Sequence, residues 1–431
     1  MIDSEFRSII VSSNEKAVKE ENEIDYYLKR NDLKYAARKY RTLGKLMLAD
    51  GQCRIALDFF RCAAKYNEDS GLYERAVKDR IYAVKTLNLI DDQQGIADEY
   101  GKIAGIFKLK LGENIPAASY YALSAHHHEA TGNYFEAQYL ARAAFNCTTK
   151  NISRQIAMLH IATRNATKGN MHEKTILYVR QLMDLISDKN SKEYAALCRQ
   201  GLQASIKAGD DLHTACFLKA IIDNPANRPA ENELGKLVYD YTTATIRHER
   251  SFSTAADEMI CEAFPNELRR SKVYFDLSIT AHESGLINLQ NELQIKSYKS
   301  KKDHFYHTGE RIKWLGYKLW EITSLYGESI GRWGLVTLLT LVFFAVIYSN
   351  VLVSDNFPAF VNNVLDTRFA VSPDNNMFTP FYFSVVTFTN LGLGDIYPEN
   401  LSAQVWVVLQ TLAGYIMLGV FLSIMSKKIV K

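Results

Sequence analysis

The residues of this chain whose types and spacing could act together lie near its C-terminal end. The segment Thr389-Asn390-Leu391-Gly392-Leu393-Gly394-Asp395 carries two glycines two positions apart. Glycine takes either sign of φ without steric penalty, so this spacing lets backbone carbonyls turn toward one axis. The run before it, residues 378–388, reads FTPFYFSVVTF and opens on Thr379-Pro380. Proline is tolerated in the first turn of a helix. A helix there would aim its carboxyl end, with its partial negative charge, at the glycine-rich segment. Carbonyl oxygens and a helix C-terminus are groups that hold a cation. They make and break no covalent bonds.

Other constellations carry less. His126-His127-His128 are adjacent, point in different directions on a helix and have no second cluster at ligand spacing. We read them as an exposed polar turn of helix, with no metal. Gly327-Glu328-Ser329-Ile330-Gly331 matches GxSxG, but a nucleophile elbow needs a strand before it and a hydrolase sheet around it. The basic run Lys299, Lys301, Lys302 ends at Asp303 and reads as a solvated or membrane-facing patch, so no nucleic-acid partner is expected. There is no phosphate-cradling glycine loop and no HExxH. No enzyme and no cofactor are expected. Cys53, Cys62, Cys147, Cys198, Cys216 and Cys261 show no close CxxC pair and read as free thiols of a reducing compartment.

The elements that must position the glycine segment follow from the charge map. The chain has 431 residues, a formal charge of +3 and 23% charged residues. Residues 333–353 carry no formal charge, and neither do residues 401–426. Each is long enough to cross a bilayer core, which takes roughly 20 residues. The apolar run 378–388 between them is too short to cross. Backbone inside lipid must be paired or must line a protein cavity, so a short helix that dips in and returns as extended chain is expected. The connection carries Asp355, Asp366, Asp374, Asp395 and Glu399 against Arg368. Lys313, Lys318 and Arg332 precede the first span, and Lys427, Lys428 and Lys431 follow the second. Positive flanks stay on the cytoplasmic side, so both termini are expected inside. Residues 1–20 lack the apolar run of a signal peptide, which agrees with a cytoplasmic N-terminal part.

Span, short helix, glycine-rich return and second span, in that order, resemble the pore module of the potassium channel superfamily. Thr-Asn-Leu-Gly-Leu-Gly-Asp resembles that family's Thr-Thr-Val-Gly-Tyr-Gly-Asp filter signature. The resemblance covers residues 333–426. It implies a first span at 333–353, a pore helix at 378–388, a filter at 389–395 and a second span at 401–426. It further implies a homotetramer in membrane lipid, with permeant potassium ions held by the backbone carbonyls of Asn390, Leu391, Gly392 and Leu393. Thr389 would end the pore helix and Asp395 would stand behind the outer mouth. Gly414 matches the family's inner-helix hinge, with Gly419 as second choice. Asn390 and Leu393 depart from the signature's threonine and tyrosine, which keeps a weakly selective cation channel as an alternative. A membrane-anchored helical-repeat scaffold or receptor is the other. Gln404 and Gln410, polar residues in the second span, should face protein or water.

The N-terminal two thirds read as helix after helix. Alanine, leucine and tyrosine recur three or four apart, with short polar breaks. Gly51, Asp92, Gly132, Gly169 and Gly209 are spaced by 41, 40, 37 and 40 residues, and Ala56, Ala97 and Ala137 each follow a break by five. That is the pattern of a helical-hairpin solenoid. Gly132-Asn133-Tyr134-Phe135-Glu136-Ala137, with Ala141 and Ala144 behind it, resembles the second half of a tetratricopeptide repeat, which implies a face able to bind a protein or small-molecule ligand. Residues 300–332 hold Trp314, Tyr317, Trp320 and Tyr326, rings that favour the headgroup level, and are expected to form an amphipathic helix on the inner leaflet. The expected fold is all-α, in three parts: a cytoplasmic tetratricopeptide-like solenoid at 1–299, an interfacial linker at 300–332 and a two-helix, re-entrant-loop membrane domain at 333–431. No arginine-rich voltage-sensing span precedes residue 333, and only residues 427–431 follow the second span. Gating is therefore expected through the solenoid, in a plasma membrane of the bacterial inner-membrane kind.

Overall fold

The computed structural model describes residues 15–149, 151–224, 230–350, 363–371 and 376–429. The expectations for 1–14, for the polar stretches 354–362 and 372–375, and for 430–431 lie outside those residues. The chain divides into two compact units, Met1–Ala244 and Thr245–Lys431. The division falls well before residue 299.

The first unit is a row of helices: α1 (Glu15–Lys29), α2 (Leu33–Ala49), α3 (Cys53–Asp69), α4 (Tyr73–Leu89), α5 (Gln93–Ile106), α6 (Asn114–Ala130), α7 (Tyr134–Cys147), α8 (Ile152–Lys168), α9 (His172–Leu185), α10 (Lys192–Ala208) and α11 (Asp211–Ile222). A further helix, α12 (Glu231–Glu249), crosses the division. The breaks repeat one device. The amide three residues past the helix end donates back to the carbonyl five positions earlier: Gln52 to Met47 at 2.8 Å, Leu72 to Asn67 at 2.8 Å, Asn133 to His128 at 2.8 Å and Met171 to Ala166 at 2.9 Å. This closure requires a left-handed residue, supplied at Gly51 and Gly132 with φ of 76° and 77°. The glycine periodicity is therefore the periodicity of helix ends. Ala56, Ala97 and Ala137 are fully buried, where each helix crosses its neighbour.

Several ion pairs run from one helix to the next but one. Arg41 pairs with buried Asp79, and Arg61 lies 3.0 Å from buried Glu99, which also receives Arg80 at 2.7 Å. Buried carboxylates persist only when paired in this way. Arg164 and Lys168 reach Glu129 at 2.6 and 2.8 Å. Burial alone would raise the Glu129 carboxyl, but hydrogen bonds from these two cations and Asn165 hold it at about 2. The histidine triplet is not a uniformly exposed turn. His126 is exposed, His127 is half-buried with Nδ1 2.7 Å from Gln93 Oε1, and His128 is buried, because successive residues on a helix face different ways. All six cysteines are free thiols, with Cys147 and Cys198 buried and Cys216 and Cys261 exposed.

The second unit opens with α13 (Thr254–Ala263), α14 (Glu267–Glu283), α15 (Ile287–His307) and α16 (Arg311–Ser324). Residues 300–332 thus do not form one continuous helix. They span the end of α15, all of α16 and the start of the next helix, because Gly309 (φ 79°) and the left-handed run Leu325, Tyr326 and Gly327 (φ 51°, 58° and 85°) break the chain. Their aromatic rings pack on protein. Trp320 lies 5.0 Å from Tyr298 and 5.7 Å from Tyr326, and Trp314 lies 5.9 Å from Tyr306. Lys302 bonds Glu321 at 2.9 Å and ties α15 to α16. Ser329 is no nucleophile elbow. It caps the following helix, its Oγ accepting from the Arg332 amide at 3.2 Å.

The remainder comprises α17 (Ile330–Tyr348), β1 (Phe369–Val371), α18 (Thr379–Thr389), β2 (Ile396–Pro398) and α19 (Leu401–Ile429). Among the described residues the all-α expectation therefore holds but for one antiparallel ribbon, in which Phe369 pairs with Pro398 and Val371 with Ile396. Side chains set its place. Asn350 Oδ1 accepts from the Thr367 amide at 2.8 Å, and Asn400 Nδ2 donates to the Asp366 carbonyl at 2.7 Å while its Oδ1 caps α19 through the Ala403 amide at 3.0 Å.

Candidate functional site: the glycine segment between two apolar helices

Helices α17 and α19 are long and apolar enough to cross a membrane, and 17% and 22% of their spanning stretches is buried. Most of their apolar surface, including Leu335, Leu339, Leu412 and Ile416, therefore faces outward. The first begins at Ile330, before the charge-free stretch, because Ser329 caps it there, and it ends at Tyr348, where Asn350 turns left-handed with φ 55°. The two helices meet where Trp333 Nε1 donates to the Met417 carbonyl at 2.9 Å and its ring lies 4.7 Å from Phe421.

The short helix α18 packs against both. Buried Ser384 donates from Oγ to the Leu341 carbonyl of α17 at 2.8 Å. Buried Gln410 of α19 donates from Nε2 to the Ser384 carbonyl at 2.9 Å and approaches Ser384 Oγ at 2.7 Å. Its Oε1 accepts from the Tyr348 hydroxyl of α17 at 2.6 Å. One buried network thus joins all three helices, and satisfied polar networks of this kind fix a single packing. Gln410 faces protein, as read from the sequence; Gln404 is exposed. Gly414 permits the closest approach, since a β-carbon there would stand 2.2 Å from the Phe388 carbonyl oxygen. Nothing lies within 4 Å of a β-carbon at Gly419.

The glycine segment leaves the C-terminal end of α18. Thr389 is the last residue of that helix, with Oγ1 donating to the Val385 carbonyl at 2.7 Å. Asn390 is its left-handed cap, and the Leu391 amide donates to the Val386 carbonyl at 3.1 Å. Asn390, Gly392 and Gly394 have φ of 60°, 59° and 75°, with Leu391 and Leu393 of opposite hand between them. All seven residues from Thr389 to Asp395 are exposed, Leu391 and Leu393 by 64% and 60%. Two braces hold the segment. Asp395 Oδ2 accepts from the Tyr382 hydroxyl of α18 at 2.7 Å, and Asn390 Nδ2 donates to the Tyr415 hydroxyl of α19. The candidate residues 389–395 and Gly414 therefore cluster at one end of α18, whereas Gly419 stands apart from them. Sequence reasoning missed Tyr348, Tyr382, Ser384 and Tyr415. Their signal was faint: single hydroxyls within apolar runs, with no spacing rule to pair them.

Residues 335–431 match the family model described as an ion channel. That match likens the C-terminal part of the chain to ion channels. Among the described residues no group of three His, Cys, Asp or Glu could hold a metal ion. No curated protein matches the chain. Among solved structures, the apo form of RapI is 13% identical, with 65% of this chain and 95% of that chain covered and a TM-score of 0.24. The TPR2AB domain of yeast Sti1, solved as a complex with pHSP90, is 14% identical over 65% of this chain and 97% of that chain, with a TM-score of 0.23. Scores this low carry no fold assignment.

Proposed function

We propose that residues 330–429 form one quarter of a homotetrameric pore that passes potassium ions down their gradient. The single observation that carries this reading is the alternation of hand at Asn390, Gly392 and Gly394, directly after a short helix wedged between two outward-apolar helices. On this reading the alternation turns successive peptide planes the same way, so that the carbonyls of Asn390, Leu391, Gly392 and Leu393 would share one side. Four such segments around an axis would replace a cation's hydration shell. The exposed Leu391 and Leu393 side chains would pack outward against neighbouring copies, and the Tyr382–Asp395 bond would brace the outer mouth. The C-terminal end of α18 supports a cation on the same axis.

In this reading α18 is re-entrant, both termini are cytoplasmic, and the membrane is a plasma membrane of the bacterial inner-membrane kind. Gly414 and Gly419 are the hinge candidates, and a ligand on the helical repeats, read as tetratricopeptide-like, shifts a closed–open equilibrium. Such a ligand must differ in affinity for the two states. A weakly selective cation pore is the second reading, favoured by Asn390, whose amide is already engaged by Tyr415.

Chirality at Gly394 tests the proposal. D-alanine accepts φ near 75° and L-alanine does not, and no atom lies within 4 Å of an added β-carbon in the single chain. Semisynthetic channels with D-alanine should conduct potassium and those with L-alanine should not. Equal conduction by both would remove the backbone pathway from the account.

A further inference from the structure

We propose that α16 is a lipid-binding element, docked on an anionic membrane surface through Ile312, Leu315, Leu319 and Ile322. These four are 89%, 51%, 53% and 51% exposed. Their spacing of three, four and three puts them in one stripe along the helix. The opposite face is already occupied: Tyr317, Trp320 and buried Ser324 turn toward α15 and Tyr326. The face open for docking is therefore aliphatic, and the tryptophans are its support rather than its contact.

Three observations select the occupant. The first is chain continuity. Five residues, 325–329, separate α16 from α17, and five residues reach at most about 17 Å when extended. Here they are contracted by three consecutive left-handed residues. If α17 crosses a bilayer, the stripe must lie close to its surface, so this inference rests on the membrane reading of α17. The second is local charge. Residues 299–332 hold seven lysines and arginines against four acids, a balance that suits the anionic headgroups of a cytoplasmic leaflet. The third excludes a second copy of α16. With Ile312, Leu315, Leu319 and Ile322 as the a and d positions of a heptad, Arg311 and Lys318 fall at g, while Gly316 and Thr323 fall at e. Cations at g would find no acid at e on a partner helix. Beside headgroup phosphates the same two cations are complementary.

The test uses the full chain reconstituted in vesicles of phosphatidylcholine with or without phosphatidylglycerol. Cys53, Cys62, Cys216 and Cys261 are changed to serine, and one spin label is placed through Leu319→Cys. A label through Leu339→Cys, on the exposed apolar face of α17, is the control. The proposal expects the label at 319 to be reached by oxygen and shielded from a water-soluble nickel reagent in phosphatidylglycerol vesicles. Arg311→Gln with Lys318→Gln should reverse that shielding severalfold there. Nickel access at 319 with oxygen access at 339 overturns the lipid-docked helix alone, whereas nickel access at both overturns the membrane reading beneath it. Broadening by a neighbouring label at 319, with oxygen excluded, assigns the stripe to a second copy. Shielding that ignores phosphatidylglycerol and both glutamine changes overturns the anionic specificity.

Discussion

A β-carbon on Gly414 would stand 2.2 Å from the carbonyl oxygen of Phe388. The last turn of α18 and the middle of α19 are thus in backbone contact, and only glycine allows it. Small residues serve the same close approach wherever membrane helices pack without a hydrophobic drive. We expect Gly414→Ala to destabilise the second unit by about 1–3 kcal/mol, the usual cost of overpacking, and Gly419→Ala to be near neutral. Thermal unfolding in detergent separates the two. Equal costs would show that Gly414 is not a packing residue and would return both glycines to a hinge role.

Gln410 is the hub of the buried network, so Gln410→Leu should be costly. It would leave the Ser384 and Tyr348 hydroxyls short of a partner, at about 1–3 kcal/mol for each group left unsatisfied. Gln410→Leu combined with Tyr348→Phe should cost less than the sum of the two single changes. Strict additivity in that cycle would mean that the two side chains do not act as one network.

Tyr382→Phe and Asp395→Asn each weaken the same brace on the glycine segment. We expect both to shorten channel openings, and the double variant to be no worse than the more affected single one. Single-channel recording gives the dwell times. A double variant with the product of both effects would uncouple the two residues.

Glu129 makes the helical-repeat unit sensitive to acid. Its folded-state value of about 2 lies below the ordinary 4.5. A depressed carboxyl contributes stability that is complete above its unfolded value and is lost as pH falls through the folded one. Protection of α6 and α8 amides, corrected for intrinsic exchange, should therefore fall between about pH 5 and pH 2. Glu129→Gln should remove that component of the fall. An unchanged acid profile would mean that Arg164 and Lys168 do not hold the carboxylate in solution.

Much of this was legible before any coordinates. Helix ends in the first unit could be read because each turn needs a left-handed residue, and Gly51 and Gly132 announce it. The two long apolar helices could be read from missing charge. The β1–β2 ribbon could not, since three-residue strands carry no periodicity and theirs depends on Asn350 and Asn400 gripping distant backbone. Trp314 and Trp320 misled because an amphipathic ring suits a headgroup or a protein neighbour equally well, and here Tyr298 and Tyr306 supply the neighbour. His128 misled for a simpler reason: in a run of three histidines, the helix turns one of them inward. The glycines of the candidate site were visible, but the partners that hold it, Tyr382 and Tyr415, were single residues at separations of 13 and 25 from the atoms they bond.

The central claim, a potassium pathway lined by main-chain oxygen, is tested most directly by the reversal potential of the purified protein in planar bilayers, with potassium on one side and sodium on the other. The account predicts current that reverses at a potential set by the potassium gradient, with Asn390→Thr and Leu393→Tyr together sharpening the preference over sodium. Folded, membrane-inserted protein that passes no cation current, or a reversal potential indifferent to potassium, would contradict it.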